Sequence, residues 1–273
     1  MYVGVDIGGT KTLVASLDEH GVIVERFKFP TPQTYGMFLE NLATFIAKLS
    51  TKDFFAAGLA IPGRVDRANG VGIAFGNLPW REVPIKADVE RLTHCPVAIE
   101  NDANLAGLSE AMLLKDTYNK VLYVTIGTGI GTGIIVNQVI DPAFADSEGG
   151  EILLEHGGKM ERWEHFASGK AIVRRFGKKA RDITDEKTWQ IIAHDIAMGL
   201  ADIITIVQPE VIVLGGGVDG YFDRFEKFLV ADLQQYETPL VPIPPIKCAQ
   251  RPDDAVVYGC YDLAVQQYGK AAP

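Results

Sequence analysis

Apolar positions recur along this chain in two rhythms, and the change from one to the other marks its elements. Residues 2–7, 12–18 and 22–28 are alternating or β-branched runs parted by glycine-bearing turns, which predicts a meander of hairpins. Residues 34–49 switch to helical spacing, with Phe38, Leu42, Phe45, Ile46 and Leu49 on one face. A strand over 56–61 closes on Ile61-Pro62-Gly63, and Asn77-Leu78-Pro79-Trp80 reads as a loop. A short strand over 97–100 runs into Glu100-Asn101-Asp102-Ala103-Asn104, and a helix follows to about residue 114.

The second half restarts this grammar. Strand 121–126, a Gly/Thr turn and strand 132–136 form a faint internal echo of the start. A long apolar-faced helix over 186–207, a buried strand over 211–214, a helix over 222–235 and a last helix over 255–267 follow. The stretch from Pro239 to Pro252, with five prolines, reads as an extended connector. The expected architecture is α/β with two lobes and a ligand-binding cleft between them. Residues 1–115 form the first lobe, 116–254 the second, and the segment of about 255–273 crosses back to the first.

Length and charge narrow the class. A chain of 273 residues can bury a large core in roughly two domains. A net charge of −9 argues against a nucleic-acid partner, and Arg174-Arg175-Phe176-Gly177-Lys178-Lys179 reads as a solvated helix end. Cys95, Cys248 and Cys260 lie far apart without metal-type spacing. They read as small core residues in a reduced, cytoplasmic setting. No charged-then-apolar leader and no run of 18 apolar residues is seen, so neither secretion nor a membrane partner is expected, and with a strand starting at Tyr2 no N-terminal DNA-binding module is expected either.

Two turns carry the strongest chemical signal. In Asp6-Ile7-Gly8-Gly9-Thr10-Lys11 and in Thr125-Ile126-Gly127-Thr128-Gly129-Ile130-Gly131-Thr132-Gly133, glycines let backbone N–H groups converge on an anion while threonine hydroxyls add donors. Asp6 could hold a magnesium ion through water. Asp102 alone is a common helix starter, yet a carboxylate just past a strand end can also take a hydroxyl proton during phosphoryl transfer, and Asn101 and Asn104 beside it offer amides to a polyol. Glu148, Glu151 and Glu164 supply acceptors for sugar hydroxyls, with aromatics nearby that could pack a sugar face. His156 and His165 lack the partners of a zinc site. Gly215-Gly216-Gly217-Val218-Asp219-Gly220 satisfies a dinucleotide fingerprint, but the next strand would fall in the proline-rich stretch, so a turn lying against a nucleoside fits better.

In this order the motifs resemble those of the ROK sugar kinases, within the actin-like ATPase (ribonuclease H-like) fold class that includes hexokinase and Hsp70. The resemblance covers nearly the whole length. It takes in the two turns, Ile61-Pro62-Gly63, Asn77-Leu78-Pro79-Trp80, Glu100 to Asn104, and Pro209-Glu210-Val211-Ile212-Val213-Leu214-Gly215-Gly216-Gly217 as an adenosine motif. It implies an ATP- and magnesium-dependent kinase acting on the 6-hydroxyl of a hexose or hexose derivative of the glucose, mannose, fructose or N-acetylhexosamine type. Asp102 would be the general base, and Asp6, Gly8, Gly9, Thr10, Lys11, Gly127, Thr128, Gly129, Gly131, Gly215, Gly216 and Gly217 would line the nucleotide. Gly63, Asn77, Asn101, Glu148, Glu151 and Glu164 would face the sugar.

Two departures qualify the resemblance. Glu151 stands where the family carries a sugar-touching, zinc-binding histidine, and the cysteines that complete the zinc site are absent. No zinc is therefore expected, and the short loop His156-Gly157-Gly158-Lys159-Met160 should be held by packing alone. An ionised glutamate accepts hydrogen bonds but donates none, which alters the sugar contact. A sugar-binding regulator of the same fold and an NAD-dependent oxidoreductase are the alternatives, polyphosphate is an alternative donor, and a homodimer is compatible with the sequence.

Overall fold

The computed structural model describes residues 1–269, so the last positions of the 255–273 segment, 270–273, lie outside the described residues. The chain divides into two compact units, residues 1–109 with the segment from Asp253 onward, and residues 110–252.

In the first unit the opening hairpins form as β1 (Tyr2–Ile7), β2 (Lys11–Leu17) and β3 (Ile23–Pro30), followed by α1 (Tyr35–Ile46) and β4 (Ala56–Ile61). Three short strands, β5 (Gly63–Asp66), β6 (Val71–Phe75) and β7 (Leu78–Val83), make a separate antiparallel meander. Leu78-Pro79-Trp80, expected as loop, is thus strand, because Leu78 and Trp80 alternate inward onto the core while Pro79 faces out. Helix α2 (Ile85–Thr93), β8 (Val97–Asn101) and α3 (Asp102–Leu113) complete this part of the chain.

The main sheet runs β3-β2-β1-β4-β8. Its first three strands are antiparallel, whereas β1, β4 and β8 are parallel. β4 is buried along its whole length, as expected of a central strand covered on both faces. Phe38 and Leu42 of α1 join Trp80, Ile85 and Val89 in one core beneath it. The last helix, Ala255–Tyr268, packs on the other face, with Val257 against Leu13, Ala15 and Leu17. Gly58 of β4 makes that approach possible, since a Cβ there would collide with the backbone of Cys260.

The second unit repeats this plan. β9 (Lys120–Ile126), β10 (Ile130–Val136) and β11 (Val139–Ile140) are antiparallel, and the sheet order is β11-β10-β9. A small hairpin, β12 (Leu153–His156) and β13 (Lys159–Arg162), leads into α4 (Trp163–Ala167), α5 (Gly169–Phe176) and α6 (Glu186–Val207). β14 (Val211–Gly215) then joins β9 in parallel, α7 (Phe222–Gln234) packs on α6, and β15 (Ile246–Cys248) adds a parallel edge. The order β11-β10-β9-β14-β15 therefore has the same strand directions as β3-β2-β1-β4-β8, which turns the faint echo in the sequence into a topological duplication.

The helix caps follow their chemistry. Asp185 accepts from Thr188 N to start α6, Ser168 accepts from Ala171 N to start α5, and Gly177 ends α5 with φ 67°. Helix α6 is long and apolar enough by composition to cross a bilayer, but Trp189, Ile192, Ile196, Leu200 and Ile204 are buried in this unit's core.

Three expectations need correction here. The proline-rich connector contains β15, which forms at the sheet edge in the proline-free run between Pro245 and Pro252. Cys248 on that edge is exposed, while Cys95 and Cys260 are buried as expected. The loop 156–160 is the tip of the β12/β13 hairpin. Gly157 and Gly158 take φ values of 61° and 80°, the pair of positive angles that a two-residue hairpin turn needs.

Candidate active site

In the first unit three parallel strands end at one edge. Asp6 lies opposite Ala60, and Ala60 opposite Glu100, so Asp6 and Glu100 are two strand spacings apart, about 10 Å. The carboxyl ends of parallel strands are where such sheets bind ligands. The Asp6 carboxyl is pushed up from its ordinary 3.8 to about 6 by burial, against which the Lys28 charge pulls it down.

The first Gly/Thr turn follows Asp6 and is closed by Gly8 N donating to Lys11 O at 2.9 Å. Thr31 pins it, with its hydroxyl on the Gly8 carbonyl at 2.8 Å and its amide on Thr10 O at 3.0 Å. Gly9 sits against Asn77, whose Cβ would lie 3.3 Å from any Cβ at residue 9. The structure thus brings Gly8, Gly9, Thr10 and Asn77 together, with Thr10, Lys11 and Asn77 exposed.

Asp102 opens α3, but the cap belongs to its neighbour. Asn101 Oδ1 accepts from Ala103 N at 2.8 Å and Asn104 N at 3.2 Å, and Asn101 Nδ2 donates to Gly63 O at 3.1 Å. Asp102 Oδ1 also receives the Ala103 amide, at 2.9 Å. Gly63, at φ 151°, has no room for a side chain, because a Cβ would run into the Ala74 carbonyl. Beneath this turn, buried Glu100 accepts from Arg67 at 2.6 Å and 2.5 Å, from Asn101 N at 2.7 Å and from Asn104 Nδ2 at 3.1 Å. Arg67 carries no sequence signal by itself. Its role follows from the meander that delivers it to Glu100.

In the second unit the equivalent turn, Gly127 to Gly129, is closed by Gly127 N donating to Gly129 O at 2.9 Å. Its Gly127 carbonyl accepts from Gly169 N at 2.8 Å, tying the turn to the start of α5. Thr128 is exposed at the tip, while Gly131 lies within β10 opposite Thr125. At the neighbouring end of β14, Gly216 adopts φ 92° hard against Ile126 O and Thr125 Oγ1. Gly217 has open space where a side chain would be.

Glu164 reaches this turn as well, since its Oε2 accepts from Ile130 N at 3.3 Å and would meet any Cβ at Gly129. Glu148 precedes the single helical turn Gly149–Glu151. Although its side chain keeps an open face, its carboxyl is raised by desolvation and by the charges of Glu151, Glu164 and Asp146. The three glutamates therefore form one electrostatic group. Glu151 is not a lone acceptor, because its Oε2 pairs with Arg162 Nε at 2.6 Å.

The aromatics expected near a sugar face are elsewhere. Trp163 and Phe166 are fully buried, with the Trp163 indole N–H on Asp195 O at 2.9 Å. His156 faces Asp195 at 3.2 Å, and His165 is exposed. Arg175, expected as part of a solvated helix end, bonds to Asp195 at 2.5 Å. Among the described residues no three His, Cys, Asp or Glu converge to hold a metal ion, so the residues around Glu151 do not fit a zinc site. The loop is held by its hairpin, by the Glu151–Arg162 pair and by Asp195. Packing alone is not what orders it.

The profile described as ROK family matches residues 2–267. The chain is 28% identical to a glucokinase of Streptomyces coelicolor, covering 97% of each chain. It is 27% identical to an N-acetyl-D-glucosamine kinase of Salmonella paratyphi C, over 93% of this chain and 95% of that one. The crystal structure of a ROK family glucokinase from Streptomyces griseus in complex with glucose and AMPPNP superposes with a TM-score of 0.83 at 28% identity, covering 97% and 99% of the two chains.

Proposed function

The chain belongs to the ROK family, and from that premise we propose that it is an ATP-dependent sugar kinase with Asp102 as general base, transferring phosphate to the 6-hydroxyl of a hexose or N-acetylhexosamine. The observation that carries this reading is the duplication itself. Both Gly/Thr turns sit at the same place in the repeated sheet, after its central antiparallel strand pair begins, and only the first unit adds carboxylates at its strand ends. Relatives named for glucose and for N-acetyl-D-glucosamine support the acceptor class.

In the proposed reaction Asp102 accepts the proton of the sugar hydroxyl as its oxygen forms a bond to the γ-phosphorus and the bond to the β–γ bridging oxygen breaks, releasing ADP. The backbone N–H groups of Gly9 and Thr10 and of Thr128 and Gly129 donate to phosphate oxygens, those of Gly8 and Gly127 being engaged in closing their turns, and Thr10 and Thr128 are exposed to add hydroxyl donors. Asp6, with a carboxyl at about 6, is ionised at neutral pH and suited to hold the hydration shell of a magnesium ion, which supplies charge neutralisation on the phosphates. Gly217, open above the backbone, gives a nucleoside a flat approach. Glu148 and Glu164 accept from sugar hydroxyls. Glu151 and Arg162 together offer an acceptor and a donor, which answers the lack of a donor on glutamate alone.

A coupled ADP-release assay over glucose, mannose, fructose, N-acetylglucosamine and N-acetylmannosamine tests the reading. Sugar-stimulated turnover is expected on at least one, with Asp102→Ala lowering kcat by about 10²–10⁴ while calorimetric sugar binding persists. Absence of turnover by the folded protein on the whole panel, or an unchanged kcat in Asp102→Ala, would refute it.

A further inference from the structure

Behind the acceptor glutamates, inside the second unit, one residue holds three elements, two through its carboxylate and one through its backbone carbonyl. Asp195 lies in the middle of α6 with 4% of its side chain exposed. Its Oδ2 accepts from Arg175 Nη1 of α5 at 2.5 Å, its Oδ1 faces His156 Nε2 at the end of β12 at 3.2 Å, and its backbone carbonyl takes the Trp163 indole N–H of α4 at 2.9 Å. Arg175 also donates to Phe166 O at 2.5 Å, and the His156 ring stacks on Phe166 with centroids 4.2 Å apart and planes 9° from parallel. Trp163 N donates to Ile152 O at 2.8 Å, which closes the base of the hairpin.

Burial is expensive for such a carboxylate. Desolvation raises the Asp195 carboxyl, and Arg175 first, then His156, pull it back. Buried ion pairs contribute little net stability compared with well-packed apolar residues, so stability alone is a weak reason for this one. What a carboxylate adds is direction, since its oxygens fix the guanidinium and the imidazole at defined angles. The elements so fixed bracket the acceptor segment. His156 ends the strand that starts two residues after Glu151, Trp163 directly precedes Glu164, and the Glu151–Arg162 pair spans the hairpin base.

We propose that Asp195, with His156 and Arg175, is the positioning group of the acceptor site, a metal-free staple that sets the hairpin and α4 so that Glu148, Glu151 and Glu164 meet the sugar in one geometry. The inference rests on the kinase reading and adds to it which interior residues set acceptor affinity. None of the three touches the reacting atoms. Their effect passes through the hairpin and α4.

The test is steady-state kinetics of the full chain with His156→Ala, His156→Gln, His156→Phe and Asp195→Asn, using the sugar with the highest kcat/KM in the wild type. His156→Ala and Asp195→Asn should raise the acceptor KM about tenfold or more, with the ATP KM within about twofold of wild type and kcat lowered less than the acceptor affinity. His156→Gln keeps an N–H donor toward Asp195 and should recover most of the loss. His156→Phe keeps the stack on Phe166 but not the bond, so it decides the matter if His156→Ala fails to fold. Should the folded variants keep the wild-type acceptor KM, or lose acceptor and ATP affinity in parallel, the staple has no positioning role and the kinase reading stands. Should the wild type itself turn over no sugar, both fall.

Discussion

Replacing Asp6 with asparagine should make the protein more stable at neutral pH while impairing nucleotide-dependent turnover. Burial lifts the Asp6 carboxyl from 3.8 to about 6, so its ionised form is disfavoured in the fold. Between these values the folded chain keeps a proton that the unfolded chain has released, and stability falls as pH rises through that window. Above about pH 6 the whole cost is present, and below about pH 4 none of it is. A displacement of this size corresponds to about 3 kcal/mol, an upper bound because the residue retains partial contact with water. Asparagine has the same shape and no charge to desolvate. Urea unfolding of both proteins at about pH 7.5 should therefore show Asp6→Asn ahead by about 1–3 kcal/mol, with the two curves converging near pH 4. Other titrating groups are common to both chains, so the difference isolates this one carboxyl. A variant equally or less stable at neutral pH, or a gap that does not change with pH, would refute the assignment of the shift to desolvation. The accompanying loss of activity is the expected trade-off when a site holds a charge its fold would exclude.

Two other substitutions probe how the first unit supports the candidate base. Arg67→Ala leaves the buried Glu100 carboxylate without its cation and should cost about 3 kcal/mol by chemical denaturation, with kcat falling because Glu100 anchors the Asn101 amide; Arg67→Lys should restore part of both, and wild-type values in Arg67→Ala would remove Glu100 from the argument. Gly259→Val drives a side chain of the last helix into the Leu105 backbone of α3 and should lower stability by about 3 kcal/mol or more, read as a fall in Tm, whereas an unchanged Tm would mean that the helix does not sit this close.

What could be read from the sequence was what periodicity encodes. β1, β2, α1, α6 and the last helix each hold one apolar rhythm long enough to exceed local noise, and the two turns announce themselves through glycine. The meander β5-β6-β7 was missed because strands of four to six residues with two register shifts do not keep a clean alternation. The β12/β13 hairpin was legible in retrospect, since Gly157-Gly158 between two four-residue strands is a standard turn signal. The charge pairs were not. Arg67 and Glu100 are 33 residues apart, and Arg175 and Asp195 are 20 apart, separations at which any of the chain's 26 basic residues could have met any acid. Pairing of that kind is a property of topology. It appears once strands and helices have been assigned their neighbours.

The duplication explains why the two units cannot exchange roles in the proposed reaction. β8 and β15 occupy equivalent edges of the two sheets, as do β4 and β14 one strand further in. In the first unit those strands end in Asn101-Asp102 and in Ile61-Pro62-Gly63, and β1 ends beside Asp6. In the second unit β14 ends in Gly215-Gly216-Gly217, β9 ends without a carboxylate, and β15 is an exposed three-residue edge ending at Cys248. One copy of the scaffold thus presents carboxylates that can take a proton or hold a cation's water, and the other presents bare backbone that can donate to an anion. The candidate acceptor residues of the second unit, Glu148, Glu151 and Glu164, lie instead in the segment running from the end of β11 through α4, which has no counterpart strand in the first sheet. In the proposed reaction proton transfer therefore rests on Asp102 with no substitute from the repeat, whereas acceptor choice would rest on a segment that can change without disturbing either sheet.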